Sequence, residues 1–199
     1  MVRRFRPRRI VEVGSGHSTR FFARAASDAA CGTRITAIDP APRATLAGLD
    51  IELLRVRVQQ AGDAPFAGLV QGDFLAIDSS HVLAPGSDVE LLVHRVLPAL
   101  PAGIRVHFHD IFLPDGYPGA WAWRRYNEQS AVAALLASGD YEIEFASAWL
   151  VSRRAGQLAR GVLSRLPLVA GAVESSLWLR KLRAQATCTG RQRRAGRRP

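Results

Sequence analysis

The sequence predicts an open α/β sheet, mostly parallel, with helices crossing between consecutive strands. Three observations lead there. The run Arg9-Ile-Val-Glu-Val-Gly-Ser-Gly-His-Ser-Thr19 is β-branched, ends in Gly-x-Gly and passes into a helical stretch. That is how such a sheet opens room for a nucleoside-bearing cofactor. Apolar runs alternate with helix-like segments along the chain, the pattern of crossover helices between parallel strands. Acidic and histidine residues gather at the ends of those runs, where open sheets hold their ligands.

The elements follow in order. Ile10 to Val13 reads as the first strand and Ser18 to Ala30 as its helix, with Ser18 or Thr19 able to cap it. Arg34 to Ile38 is the second strand, stopped at Asp39-Pro40 because proline has no ladder donor. Ile51 to Val58 and Asp73 to Ile77 are the third and fourth, the latter leading into Asp78-Ser-Ser-His81. Asp88 to Leu97 has helical spacing, and Pro98 to Gly103 is a turn-rich break. Ile104 to His109 is the fifth strand, closed by Asp110, and Ala120 to Ala137 is a helix. Tyr141 to Trp149 and Ser176 to Lys181 are late strands suited to an antiparallel pair at one edge, with Arg153 to Ser175 between them as a loop and partial helix.

At 199 residues and 48% hydrophobic, the chain carries enough apolar surface for one packed domain, expected over residues 1–184. Residues 185–199 are basic without apolar periodicity and read as a disordered tail. The net charge of +10 raises nucleic acid as a partner, but all the basic residues except Lys181 are arginines, scattered through strands and helices. That distribution is general arginine usage, not a phosphate track, so nucleic acid is not the expected partner. Cys31 and Cys188 lie far apart and outside any C-x-x-C pairing, which fits a reducing, cytoplasmic setting. The basic start runs straight into a strand with no apolar signal core, and the stretch from Leu166 to Val173 is too short to span a bilayer. A soluble protein with no membrane partner is expected.

Gly14 and Gly16 lack a Cβ and suit a tight turn against a ligand. Asp39 suits the paired hydroxyls of a ribose. A dinucleotide fingerprint needs a third glycine, and Thr19 stands there. An NAD(P)-dependent oxidoreductase therefore stays as the alternative, while a cofactor without phosphates, S-adenosylmethionine, suits the turn better.

Glu12-Val-Gly-Ser-Gly16 resembles the first motif of class I S-adenosylmethionine-dependent methyltransferases, and Ala37-Ile-Asp39-Pro resembles the second. Gly72 to His81, Gly86-Ser-Asp88, Val106 to Pro114 with Tyr117-Pro118, Arg125 to Gln129 and Ser176 to Arg180 resemble the bacterial small-molecule branch of that superfamily. The resemblance implies a Rossmann-like, doubly wound, seven-stranded sheet. It places Glu12, Gly14 and Gly16 at the methionine end of the cofactor and Asp39 on the ribose, with Ser15 and Asp78 completing the cofactor set. The implied reaction is methyl transfer to a small-molecule acceptor, at oxygen. Asp78-Ser-Ser-His81 with Asp110 resembles the arrangement of magnesium-dependent sugar O-methyltransferases, in which strand-end carboxylates hold Mg2+. His81 is the candidate base, since an unperturbed imidazole titrates near neutrality.

Two departures from the pattern are visible. Only Met1 to Arg8 precede the first strand, where similar proteins carry covering helices, so a non-catalytic, truncated methyltransferase-like protein is a second alternative. After the third strand, where relatives place an acid for the adenine amine, stand Gln59 and Gln60, with Asp63 a little later. His107 and His109 share one face of the fifth strand, and His107 is expected to be buried and hydrogen-bonded. Tyr117, Trp121, Trp123 and Tyr126 suit either an acceptor pocket or the packing of a helix.

Overall fold

The structure, a computed structural model, describes residues 1–158, 165 and 171–184. Its strands are β1 Arg9–Val13, β2 Arg34–Ile38, β3 Glu52–Leu54, β4 Phe74–Ile77, β5 Arg105–Phe108, β6 Tyr141–Ala146 and β7 Leu177–Lys181. They form one seven-stranded sheet in the order β3-β2-β1-β4-β5-β7-β6. The pairs among β1 to β5 are parallel, and β7 runs antiparallel to both β5 and β6. This is the doubly wound sheet with an antiparallel edge that the sequence predicts.

Alternation along the strands builds two apolar layers, because successive side chains point to opposite faces. Val11, Val13, Leu75 and Ile77 pack on one face with Leu92, Leu97 and Val132. Ile10, Ile35, Phe74 and Trp178 pack on the other with Phe22 and Ala26. The latter two come from α2, His17–Ala29, whose first turn follows the Gly-x-Gly run. A short helix α1, Val2–Phe5, buries Val2 in the same layer, so the lead before β1 is not an extended arm.

Four segments differ from expectation, each for a local reason. The third strand is only Glu52–Leu54, since β2 offers three partners there. Val58 instead opens α3, Val58–Ala61, with the Gln60 side chain accepting from the Arg57 N–H. Beyond Asp88, α4 (Asp88–Leu91) continues through a π-helical turn, Leu92–Val96, into α5, Leu97–Ala99. That run ends on Lys181, the only lysine, whose ammonium donates to the carbonyls of Leu97, Pro98 and Leu100 at 2.7, 2.9 and 2.7 Å. A cation with three donors suits the orphan carbonyls of a helix C-terminus.

The expected helix from Ala120 to Ala137 is broken. Gly119–Arg124 is 3₁₀, Arg125 takes a left-handed φ of 56°, and α6 begins only at Glu128, running to Ala137. The late strand stops at Ala146, and Ser147–Leu158 is a helix, α7, kinked at Arg154, where the sequence reading placed the strand's end and then a loop with a partial helix. The tail expected at 185–199 lies outside the described residues. Among the described residues no helix is long and apolar enough to cross a membrane.

Candidate active site

The carboxyl ends of β1, β2 and β4 are drawn together by backbone bonds that continue the ladder past each strand. Gly14 donates to the Ile38 carbonyl at 3.0 Å, Asp39 to Leu54 at 3.0 Å and Asp78 to Val13 at 2.9 Å. Gly14 has φ 82°, and a Cβ there would stand 1.9 Å from the Asp78 carbonyl oxygen. Only glycine fits. Gly16 differs, since its backbone is extended (φ 167°) and a Cβ would meet nothing within 4 Å. The turn needs one glycine; at the second a side chain would meet open space. Thr19 caps α2 by accepting from the Gly16 N–H at 2.9 Å, while the buried Ser18 hydroxyl has no partner.

Asp39 is held in this turn. One carboxylate oxygen accepts from both the N–H and the hydroxyl of Ser15 at 2.8 Å, and the other accepts from the Ala41 N–H at 2.8 Å. A carboxylate offers about four acceptor positions, so the anchored Asp39 retains capacity for a ligand hydroxyl. Glu12 lies behind the turn, fully buried, with neither carboxylate oxygen hydrogen-bonded. Burial pushes its carboxyl up to about 7, partly offset by the nearby hydroxyls of Ser18 and Thr19. An acid raised in the folded state binds more protons folded than unfolded between about pH 4.5 and 7, so stability falls as pH rises through that window. The difference corresponds to about 3 kcal/mol. Urea denaturation should show the wild type losing about that much relative to Glu12→Gln between pH 4.5 and 8; parallel pH profiles would contradict it.

Gly14, Asp39, Arg43, Gln59, Asp78 and Asp88 line a cavity of about 470 Å³. A second cavity of about 340 Å³ adjoins it, lined by Asp78, His81, His109, Asp110, Trp121 and Tyr126. Arg43 and Asp78 border both. Gly14, Asp39, Asp78, His81, His109 and Asp110 thus line two cavities that share Arg43 and Asp78, while Glu12, Ser15 and Gly16 line neither.

The second cavity is organised around His81, which is 3% exposed. Its Nδ1 is 2.8 Å from Glu128 Oε2, and its Nε2 is 3.3 Å from Asp78 Oδ1 and 3.7 Å from Asp110 Oδ2. The backbone is shaped for this, since His81 and Asp110 both take left-handed φ values, 59° and 56°. Side chains other than glycine rarely adopt that region, and such strain gathers at functional sites. The first turn of α6 grips the loop as well: Asn127 and Glu128 donate their N–H groups to the His81 carbonyl at 3.0 and 3.2 Å. Burial opposes charge on His81, but hydrogen bonds to Asp78 and Glu128 and the charges of Glu128 and Asp110 outweigh it and raise its pKa to about 9. The premise of an unperturbed imidazole does not hold in the fold. His81 is an imidazolium at neutral pH. Burial raises the Glu128 carboxyl, while His81 holds Asp78 below the usual carboxylate range against its own burial.

Asp78 and Asp110 do converge, as the expectation of Mg2+ required. The space between them, however, holds the His81 Nε2, and Asp110 also accepts from the Ser175 hydroxyl at 2.9 Å. Among the described residues no three His, Cys, Asp or Glu side chains are grouped to hold a metal ion. With both carboxylates facing the His81 ring and no third such donor grouped with them among the described residues, the arrangement does not fit a resident Mg2+.

His107 is buried beneath the site with its Nε2 3.0 Å from the Ser176 hydroxyl, stacked on Trp178. Burial lowers its pKa to about 3, so it stays neutral, as a core histidine should. The aromatic residues divide: Trp121 and Tyr126 line the cavity, Tyr117 packs on Phe112, and Trp123 is 77% exposed. The sequence reading missed Arg43, Arg124 and Glu128 as site residues. Glu128 lay inside a quoted motif, but periodicity put it mid-helix, and only the break at Arg125 exposes it as the first residue of α6.

A 3-2-1-4-5-7-6 sheet with a reversed penultimate edge strand, bearing a glycine turn at β1 and an acid at β2, defines a class I, Rossmann-like S-adenosylmethionine-dependent methyltransferase. The chain belongs to the family described as Methyltransferase domain, which matches residues 11–111. The SAH-bound methyltransferase PaMTH1 of Podospora anserina shares the fold with a TM-score of 0.53 at 16% identity, over 90% of this chain and 74% of that one. The plantazolicin methyltransferase BpumL in complex with SAH does so with a TM-score of 0.52 at 16% identity, over 89% and 77%. A structure described as cmcI-D160 Mg-SAM matches 72% of this chain and 60% of that one, at 19% identity and a TM-score of 0.46. The chain thus spans less than two thirds of that relative. No curated protein matches the chain in sequence.

Proposed function

We propose that the chain binds S-adenosylmethionine in the 470 Å³ cleft and transfers its methyl group to an oxygen of a small molecule in the adjoining 340 Å³ cavity. The junction at Asp78 carries this reading, because it puts the donor turn and the His81 cluster on either side of one residue. Glu12, Gly14, Ser15 and Gly16 surround the methionine end, and Asp39 binds the ribose. The acceptor oxygen attacks the sulfonium methyl in line, the carbon–sulfur bond breaks with its electron pair going to sulfur, and S-adenosylhomocysteine leaves. The hydroxyl proton passes to His81 in its neutral form, after the imidazolium has released a proton to solvent. A sulfonium beside the cluster adds positive charge, which lowers the His81 pKa from about 9, the direction proton acceptance needs. The same proposal covers the cytoplasmic setting.

Isothermal titration tests it. S-adenosylmethionine and S-adenosylhomocysteine should bind and NAD should not; tight NAD binding with neither of the others would favour an oxidoreductase. Asp39→Ala should weaken S-adenosylhomocysteine binding by about tenfold or more, the worth of a hydrogen bond to a charged group. Unchanged affinity would remove the ribose assignment.

A further inference from the structure

The acceptor cavity contains two guanidinium groups that the methyl-transfer chemistry does not use. Arg124 closes the 3₁₀ segment, and its guanidinium lies 4.1 Å from the ring centre of Trp121 and 5.4 Å from that of Tyr126. Its Nη1 donates to the Tyr126 hydroxyl at 3.2 Å. The same nitrogen stops 3.9 Å short of Asp110 Oδ2, and the buried Nε has no partner. Stacking and one hydrogen bond therefore fix the plane of the group without saturating it. Arg43 sits on an exposed loop, borders both cavities, and has no carboxylate within 4.0 Å among the described residues.

Apart from the 3.9 Å pair of Arg124 with Asp110, the carboxylates of this cavity are engaged elsewhere. Asp78 and Asp110 face the His81 imidazolium, with His109 Nε2 a further 3.4 Å from Asp110. What remains for a ligand is a planar guanidinium held on aromatic rings, with the Arg43 guanidinium lining the same cavity. That geometry suits two oxygens of one anionic group. A purely neutral acceptor would leave the Arg43 guanidinium and the remaining N–H groups of Arg124 without an acceptor atom once water is displaced.

We infer that Arg124 and Arg43 are specificity residues that bind a carboxylate or phosphate carried by the acceptor, so that the substrate class is an anionic small molecule. This rests on the methyl-transfer reading of the same site. Benzoate, phenyl phosphate and neutral benzyl alcohol serve as probes, titrated into the full chain saturated with S-adenosylhomocysteine and followed by tryptophan fluorescence and ligand-observed NMR. At least one anion should bind more tightly than benzyl alcohol, by about tenfold or more. Preference between benzoate and phenyl phosphate assigns the carboxylate or the phosphate. Arg124→Gln should remove that preference while S-adenosylhomocysteine affinity stays within twofold of wild type, and Arg43→Gln, on an exposed loop, should reduce it without disturbing the fold. Equal binding of the three probes, no binding of either anion, or full retention of the preference in both variants would overturn the inference. Failure of S-adenosylhomocysteine itself to bind would instead sink the methyl-transfer reading.

Discussion

His81→Ala is expected to lose about 3 to 5 kcal/mol of folding stability and at least about a hundredfold in kcat. The first effect comes from what the imidazole leaves behind. Asp78, Asp110 and Glu128 all approach it within 3.7 Å, and two of the three are among the buried residues. Without His81, their charges face one another in a poorly solvated pocket, where removing one partner of a buried pair is costly because the other charge is stranded. Urea denaturation should show the deficit shrinking as pH falls and the stranded carboxylates take up protons. Adding Glu128→Gln to His81→Ala should restore part of the loss, since one stranded charge is then gone; the double-mutant cycle measures the coupling. The second effect follows from the proposed proton path, because general acid–base groups contribute about 10²- to 10⁴-fold. A variant with under 1 kcal/mol of lost stability and a normal kcat would show that the cluster is neither a structural nor a chemical centre.

Gly14→Ala is expected to be nearly as damaging and to act on the donor side. The added methyl would stand 1.9 Å from the Asp78 carbonyl oxygen, and alanine would have to hold φ 82°. Left-handed backbone costs about 1 to 2 kcal/mol for an L-residue. The clash cannot be relieved by a rotamer, because its partner is backbone fixed by the Asp78-to-Val13 hydrogen bond. The strand end must therefore move, and with it the junction between the two cavities. A stability loss of about 3 kcal/mol or more and no measurable S-adenosylhomocysteine binding are expected. Gly16→Ala is the control: its Cβ meets nothing within 4 Å, so stability should change by less than about 1 kcal/mol. If Gly14→Ala behaved like Gly16→Ala, the close approach of β1 to β4 would not be what shapes the cleft.

The fold was legible because its strands are short, nearly continuous apolar runs, and parallel pairing buries them on both faces. Ile10 to Val13 and Phe74 to Ile77 are the clearest cases, buried throughout. Asp39, Asp78, His81 and Asp110 were legible as site candidates for a related reason: strand ends at a doubly wound sheet converge whatever the loops do. The misread segments were those in which one residue's backbone angle overrides the pattern. Nothing in Ala120 to Ala137 announces that Arg125 turns left-handed, yet on either side of that turn Arg124 lines the cavity and Glu128 holds the His81 Nδ1.

Residue order alone therefore specified a parallel sheet, a glycine turn and the acids that flank it, since these depend on local periodicity and on where strands stop. The raised pKa of His81, its approach to both Asp78 and Asp110, and the stacking of Arg124 on Trp121 came from packing. They depend on burial and on distances between groups as far apart in the chain as His81 and Glu128, and such distances exist only once the strands have assembled.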